Sequence, residues 1–222
     1  AACAAIEAAP LFLEAAESKG YSRDLCSYVR CNIGHVIKGG GPLDGLPKPD
    51  LLLATGNVCY TRVKWWEVLS HYFKCPLFFI DVPTAGEYSD HAMQYFVSQL
   101  EDFITFLEKQ TGNRLDEKRL KEAIELSDQA AMLWNEIMEY RKTIPCPMGM
   151  WDALTDMFVL VTYVGTKIPV VFLEKIRDEV EDLIKEGIGV TPNEKYRLLF
   201  DNIPPWFNLR LIKHFQNLGA SF

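Results

Sequence analysis

The sequence predicts an α/β fold: parallel βαβ units of the flavodoxin or Rossmann type, with a helical middle layer. Three observations carry this expectation. Two short apolar runs, residues 51–55 and 76–81, flank a stretch of helical periodicity over 62–73. Two strands joined through a helix of about three turns form a parallel pair with a right-handed crossover. Residues 88–186 then repeat one helical pattern after another, before a second strand-then-helix pattern opens near Tyr196.

Taken in order, residues 1–16 read as a helix, and a Gly/Pro-rich loop over 39–49 leads into the first strand. The helix over 62–73 sets Val63, Trp66, Leu69 and Phe73 on one face. The strand that follows is aromatic and β-branched, with Pro76 at its first position, where the missing N–H costs no ladder bond. A long helix over 88–110 carries Tyr95, Phe96, Leu100, Phe103, Ile104 and Leu107 as its apolar stripe, and Thr111-Gly112-Asn113 ends it. A second, over 116–140, turns Leu120, Ile124, Ala131, Trp134 and Met138 inward, until the prolines of the 145–149 loop stop it. Helices over 151–163 and 169–186 follow, the latter with Pro169 in its first turn. A strand over 196–200, a helix over 205–218 and Gly219 as its cap before a new strand complete the pattern. The expected division is a first α/β domain over 1–87, a helical segment over 88–192 and the start of a second α/β domain over 193–222. The chain opens without Met and breaks off as a strand begins, which reads as an internal segment of a longer protein.

Composition narrows the function. With 23 basic against 30 acidic residues, a net charge of −7 and no Lys/Arg cluster, nucleic acid and anionic membrane are poor partners. No run approaches the roughly 18 uncharged apolar residues of a membrane span. The opening Ala1-Ala2-Cys3-Ala4-Ala5 lacks the basic start of a secretory signal. Six cysteines without dense spacing do not form a secreted disulfide framework, so a cytoplasmic location is expected.

Most single motifs have an ordinary structural explanation. Gly39-Gly40-Gly41 lacks the downstream Gly-Lys-Ser/Thr of a phosphate loop, and connection is its expected role. No G-x-G-x-x-G follows a strand, which argues against a dinucleotide site. His35, His71, His91 and His214 lack the paired spacing of a zinc site. Trp65-Trp66 suits helix packing, and Asp81 suits capping of the next helix ahead of a cleft-facing role. Cys3, Cys75 and Cys146 read as packing residues. Cys26 and Cys59 stand apart. Cys59 lies just past a buried strand, at the edge where α/β sheets collect ligands, and Cys26 precedes it by 33 residues. Two such thiols suit an iron–sulfur cluster, with Cys31 either a ligand or a neighbour.

The combination resembles a known family. Tyr21-Ser-Arg-Asp-Leu-Cys26-Ser-Tyr28, then Leu46-Pro-Lys-Pro-Asp50, then Cys59 with Lys64-Trp-Trp-Glu67, then Pro76-Leu-Phe-Phe-Ile-Asp81-Val-Pro83 occur in order. Together with Asn193-Glu-Lys-Tyr-Arg197, they resemble the benzoyl-CoA reductase and 2-hydroxyacyl-CoA dehydratase subunits across the whole chain. The resemblance implies two flavodoxin-like halves holding a [4Fe–4S] cluster. Cys26 and Cys59 match the first two cluster ligands, and the third lies downstream, outside this sequence. It also implies a homologous second subunit, an ATP-hydrolysing iron–sulfur activator protein and an acyl-CoA substrate. Phe200-Asp-Asn-Ile-Pro-Pro-Trp206 looks more like the reductase branch than the Gly-Cys-Pro of the dehydratases. The implied activity is therefore one-electron reduction of an aromatic acyl-CoA thioester. The alternatives are removal of water from a 2-hydroxyacyl-CoA through a ketyl radical, or a non-catalytic electron-relay partner subunit.

Overall fold

The two apolar runs pair side by side in the computed structural model, which describes residues 3, 7–57, 59–83, 89–191 and 193–222. Strand β1 (Leu52–Thr55) lies parallel to β2 (Leu77–Ile80), in a register from Leu52 opposite Leu77 to Thr55 opposite Ile80. Helix α3 (Thr61–Phe73) is the crossover, closed by Lys74 in the left-handed region (φ 53°), and Cys75 then turns the chain into β2. This is the βαβ unit read from the sequence, and the chain is an α/β protein. Residues 1–115 and 116–222 form two compact units.

In the first unit, α1 (Ala9–Glu17) and α2 (Ser27–Lys38) pack before the sheet begins. The expected helix over 1–16 is described from Ala9, with Pro10 in its first turn; most of the positions before it lie outside the described residues. Helix α2 has no counterpart in the pattern read from the sequence. Its apolar side chains Val29 and Ile33 are buried with Ala16, and Tyr21, Leu25, Trp65 and Val68 pack around them. Gly34 allows the close approach of α1: a Cβ there would stand 1.7 Å from the Phe12 carbonyl oxygen. Gly34→Ala should therefore force the helices apart and cost about 3 kcal/mol, the upper range of overpacking, measurable as a lower urea midpoint. The Gly39–Gly41 connection is pinned more tightly than a flexible link. All three glycines have positive φ, the buried His35 ring meets the Gly40 carbonyl through Nε2, and a Cβ on Gly41 would strike the Phe12 ring at 2.6 Å.

Helix α4 (Asp90–Thr111) takes Ser89 as its N-cap, whose hydroxyl accepts from the Ala92 N–H at 3.2 Å. Tyr88, the expected start of this helix, lies outside the described residues. Phe103 and Phe106 set their rings 5.2 Å from Phe78 on β2, which fixes α4 against the sheet. Tyr95 and Leu100, expected inside, are exposed, because α4 meets the sheet mainly through this aromatic contact.

In the second unit, α5 (Glu117–Tyr140), α6 (Met150–Thr162) and α7 (Lys167–Glu186) surround Ile137, Leu173, Val180, Met148 and Ala130. Trp134 and Met138 pack against that core as expected. Leu120, Ile124 and Ala131 do not, and Ala130 and Ile137 take the buried positions. The burial sits in the second half of α5, where its partner helix covers it. Between 89 and 191 the described residues contain helices and no strand. The strand expected over 196–200 shortens to β3 (Tyr196–Arg197), parallel to β4 (Ala220–Ser221), because β4 offers two residues to bond. Short turns close from Trp206 N–H to the Pro204 carbonyl and from Asn208 N–H to the Pro205 carbonyl, and helix α8 starts only at Arg210 and runs to Asn217. Gly219 (φ 89°) ends it as expected, close against the Asn193 carbonyl.

Glu194 knits this unit together. Its carboxylate, 5% exposed, accepts the Cys146 N–H at 2.6 Å and the Arg197 Nε at 2.7 Å. Arg197 also donates to the carbonyls of Arg141 and Thr143, both at 2.9 Å. Cys146 is buried with its thiol on the Met148 carbonyl, and Cys75 is buried beside β2, so both are packing residues as read.

Candidate functional site

The carboxyl ends of β1 and β2 lead to one edge. Gly56 N–H still bonds the Ile80 carbonyl at 3.3 Å, and beyond it the first connection reaches Cys59 while the second begins at Asp81. Cys59 is exposed just ahead of α3. Its thiol is held below the ordinary value by hydrogen bonds from the Thr61 hydroxyl and then the Thr61 N–H, outweighing a small desolvation, with the Arg62 N–H and guanidinium adding to the effect. A helix N-terminus favours the thiolate in this way.

Cys26 is not at a strand end. It is the N-cap residue of α2, exposed, and its side chain makes no capping bond, so the sulfur stays available. The loop that delivers it is anchored from behind. Arg30 Nε donates to the Leu25 carbonyl at 2.9 Å, and its guanidinium pairs with Glu17, which also holds Arg23.

Two side-chain bonds link α2 and α3. Trp65 Nε1 donates to Asn32 Oδ1 at 2.8 Å, and Tyr72 Oη donates to the Val36 carbonyl at 3.1 Å. These contacts come in the same order along α2 and α3, so the two helices run in the same sense. Cys26 lies six residues before Asn32, and Cys59 six before Trp65. Cys26 is the N-cap of α2, and Cys59 lies two residues before the first residue of α3. Trp65, bonded to Asn32, acts through packing, as expected.

Cys31 faces elsewhere. Burial first, and then the charge and hydrogen bond of the Cys3 thiol, push its own thiol up to about 11. Among the described residues, no group of three or more His, Cys, Asp and Glu is arranged to hold a metal ion. Cys26 and Cys59 are both exposed at the starts of two helices, and their thiols are chemically suited to ligate iron. An open groove of about 410 Å³ lies further along the same helices, between Ile33, Val36, Val68 and Tyr72, and none of these cysteines lines it.

Asp81 belongs to this edge and not to a helix cap. The Gln99 carboxamide clamps its backbone, accepting from Asp81 N–H and donating to Asp81 C=O, both at 2.7 Å. The carboxylate then accepts the Tyr95 hydroxyl at 3.1 Å, and its Oδ1 lies 3.8 Å from where a Gly56 Cβ would stand. The hydrogen bond to Asp81 first, then desolvation and the charges of Asp81 and Tyr60, hold the Tyr95 phenol above its ordinary value. Sequence reasoning misses Tyr95 and Gln99 because their spacing on α4 places Tyr95 in an apolar stripe.

Comparison with known proteins adds an independent finding. The family model described as 2-hydroxyglutaryl-CoA dehydratase, D-component, matches residues 2–222. The (R)-2-hydroxyisocaproyl-CoA dehydratase alpha subunit of Clostridioides difficile is 35% identical over 87% of this chain and 48% of its own length. A benzoyl-CoA reductase subunit of Thauera aromatica is 33% identical over 92% of this chain and 51% of its own. The alpha subunit of the (R)-2-hydroxyglutaryl-CoA dehydratase of Acidaminococcus fermentans is 31% identical over 72% and 34% respectively. The chain spans about half the length of the first two relatives and a third of the last.

Proposed function

Because the chain belongs to the 2-hydroxyglutaryl-CoA dehydratase D-component family, we propose that it is part of an iron–sulfur subunit performing one-electron chemistry on an acyl-CoA thioester. The observation that carries this reading is that Cys26 and Cys59 are both exposed, at the starts of two helices that run in the same sense. In this reading they are two ligands of a [4Fe–4S] cluster, and the remaining protein ligand comes from outside these residues. The bound cluster supplies low-potential single electrons. The chain's own contribution is to hold the thiolates at positive helix ends and to set a hydrogen-bonded carboxylate and phenol on the same edge.

The first reaction is reduction of an aromatic acyl-CoA of the benzoyl-CoA type, favoured by the Pro204-Pro205-Trp206 sequence. The second, removal of water from a 2-hydroxyacyl-CoA, is favoured by the dehydratase subunits among the relatives. Their names also favour a homologous second subunit. Trp151, Phe158, Val161, Ile168 and Val171 on α6 and α7 are exposed, which suits such a partner or the rest of a second flavodoxin-like half. An ATP-hydrolysing activator is the expected electron source. No helix among the described residues is long and apolar enough to cross a membrane. Anaerobic iron and sulfide analysis with electron paramagnetic resonance on the full-length protein tests the cluster. Incubation with benzoyl-CoA against a 2-hydroxyacyl-CoA then separates a reduced ring from an unsaturated product. A full-length protein without iron would overturn the reading.

A further inference from the structure

We propose that Tyr95 is the proton donor of this site, reloaded by Asp81 and aligned by Gln99. The proposal rests on the reading above and names a residue for a step it leaves unassigned. Either reaction needs a proton delivered beside the thiol edge. Tyr95 offers a hydroxyl on a half-exposed ring, and that hydroxyl donates to the Asp81 carboxylate at 3.1 Å. Gln99 grips both backbone polar groups of Asp81 at 2.7 Å, so the Asp81 backbone cannot leave the strand end without breaking two bonds. Gln99 thus acts as a positioning residue, one turn along α4 from the phenol it serves.

The proton balance closes with the low-potential one-electron reductant as the only electron source. In ring reduction, a C–H bond forms on the ring that has taken one electron as the Tyr95 O–H bond breaks. A second electron from the same reductant, with a second solvent proton through the reloaded pair, completes the reduced ring. In dehydration, with the substrate carrying the added electron, the same proton joins the departing hydroxyl as its C–O bond breaks and water leaves. The remaining radical loses its β-proton to solvent and returns the electron. A solvent proton then reaches the phenolate oxygen by way of the Asp81 carboxylate, which ends ionised and again accepts the phenol's hydrogen bond. One solvent proton is consumed per cycle of the pair, and Tyr95 and Asp81 return to their starting forms.

The test uses the full-length holoenzyme with its partner and reductant. Tyr95→Phe, which keeps the ring, is expected to retain iron content and the paramagnetic signal while turnover falls about 100-fold or more, the usual share of a proton-transfer group. Gln99→Ala should lower turnover with unchanged iron and an altered pH–rate profile. A second readout needs no cluster. The phenol missing from the ultraviolet titration of Tyr95→Phe should ionise above the ordinary tyrosine range, and Asp81→Asn should bring it down. Wild-type protein without iron or turnover would overturn the parent reading and this role with it. Normal wild-type turnover with Tyr95→Phe within about threefold of it, or an Asp81→Asn titration identical to wild type, would overturn this role alone.

Discussion

Cys26→Ser and Cys59→Ser, each made in the full-length protein, are expected to remove bound iron and to lower turnover by about 100-fold or more. A lost ligand should cost at least as much as the groups that merely orient ligands. Serine keeps the shape of the side chain but is a far poorer ligand for iron and sulfide. Both positions are exposed, so neither substitution empties a core, and loss of iron would not reflect a failure to fold. Cys31→Ser is the internal control. It lies five residues beyond Cys26 on α2, more than a full turn on, with its thiol against Cys3. Iron and turnover should survive there. Retention of iron in both Cys26→Ser and Cys59→Ser, or its loss in Cys31→Ser alone, would remove these two thiols from the site.

The second large effect concerns stability and lies in the other unit. Glu194→Ala should destabilise residues 116–222 by about 3 kcal/mol, seen as a lower denaturant midpoint. The deletion leaves the Cys146 N–H without its acceptor and removes the anion that fixes Arg197 across the Arg141 and Thr143 carbonyls. The same carboxylate predicts an acid limb. Desolvation pushes its pKa up, but the bonds from the Cys146 N–H and Arg197, with the Arg197 charge, outweigh it and hold the group below its ordinary range. A depressed folded-state pKa means stability that is complete above the unfolded value of about 4.3 and is lost as the pH falls through the folded value. Glu194→Gln should flatten that limb while keeping the Cys146 contact. An unfolding profile between pH 2 and 5 identical to wild type would show that the ion pair carries no such linkage.

Local pattern carried much of the architecture. The runs at Leu52–Thr55 and Leu77–Ile80 form the two strands, and a helix between them favours the parallel pairing. Thr111-Gly112 and the 145–149 prolines stop helices for reasons of backbone geometry alone. Where local pattern failed, the deciding partner was remote. Helix α2 is weakly patterned because Gly34 and His35 serve contacts with Phe12 and Gly40, not an apolar stripe. Ala130 displaced Leu120 and Ile124 from the core because burial depends on which part of α5 another helix covers. Ser89, not Asp81, caps α4, and Asp81 was drawn away by Gln99 and Tyr95, eighteen and fourteen residues on.

For the site, the sequence by itself determined which thiols to examine, through the order of Cys26, Cys59 and the two strands. Helical and strand periods are local properties, and a few residues suffice to specify them. Only the tertiary structure decided that the helices behind those thiols, α2 and α3, run in the same sense. That outcome depends on Trp65 finding Asn32 and Tyr72 finding Val36, two hydrogen bonds spanning 33 and 36 residues. It alone also turned Tyr95 from a stripe residue into the phenol beside Asp81. A side chain's spacing states which face of a helix it occupies, whereas its chemistry depends on what the rest of the fold brings to that face.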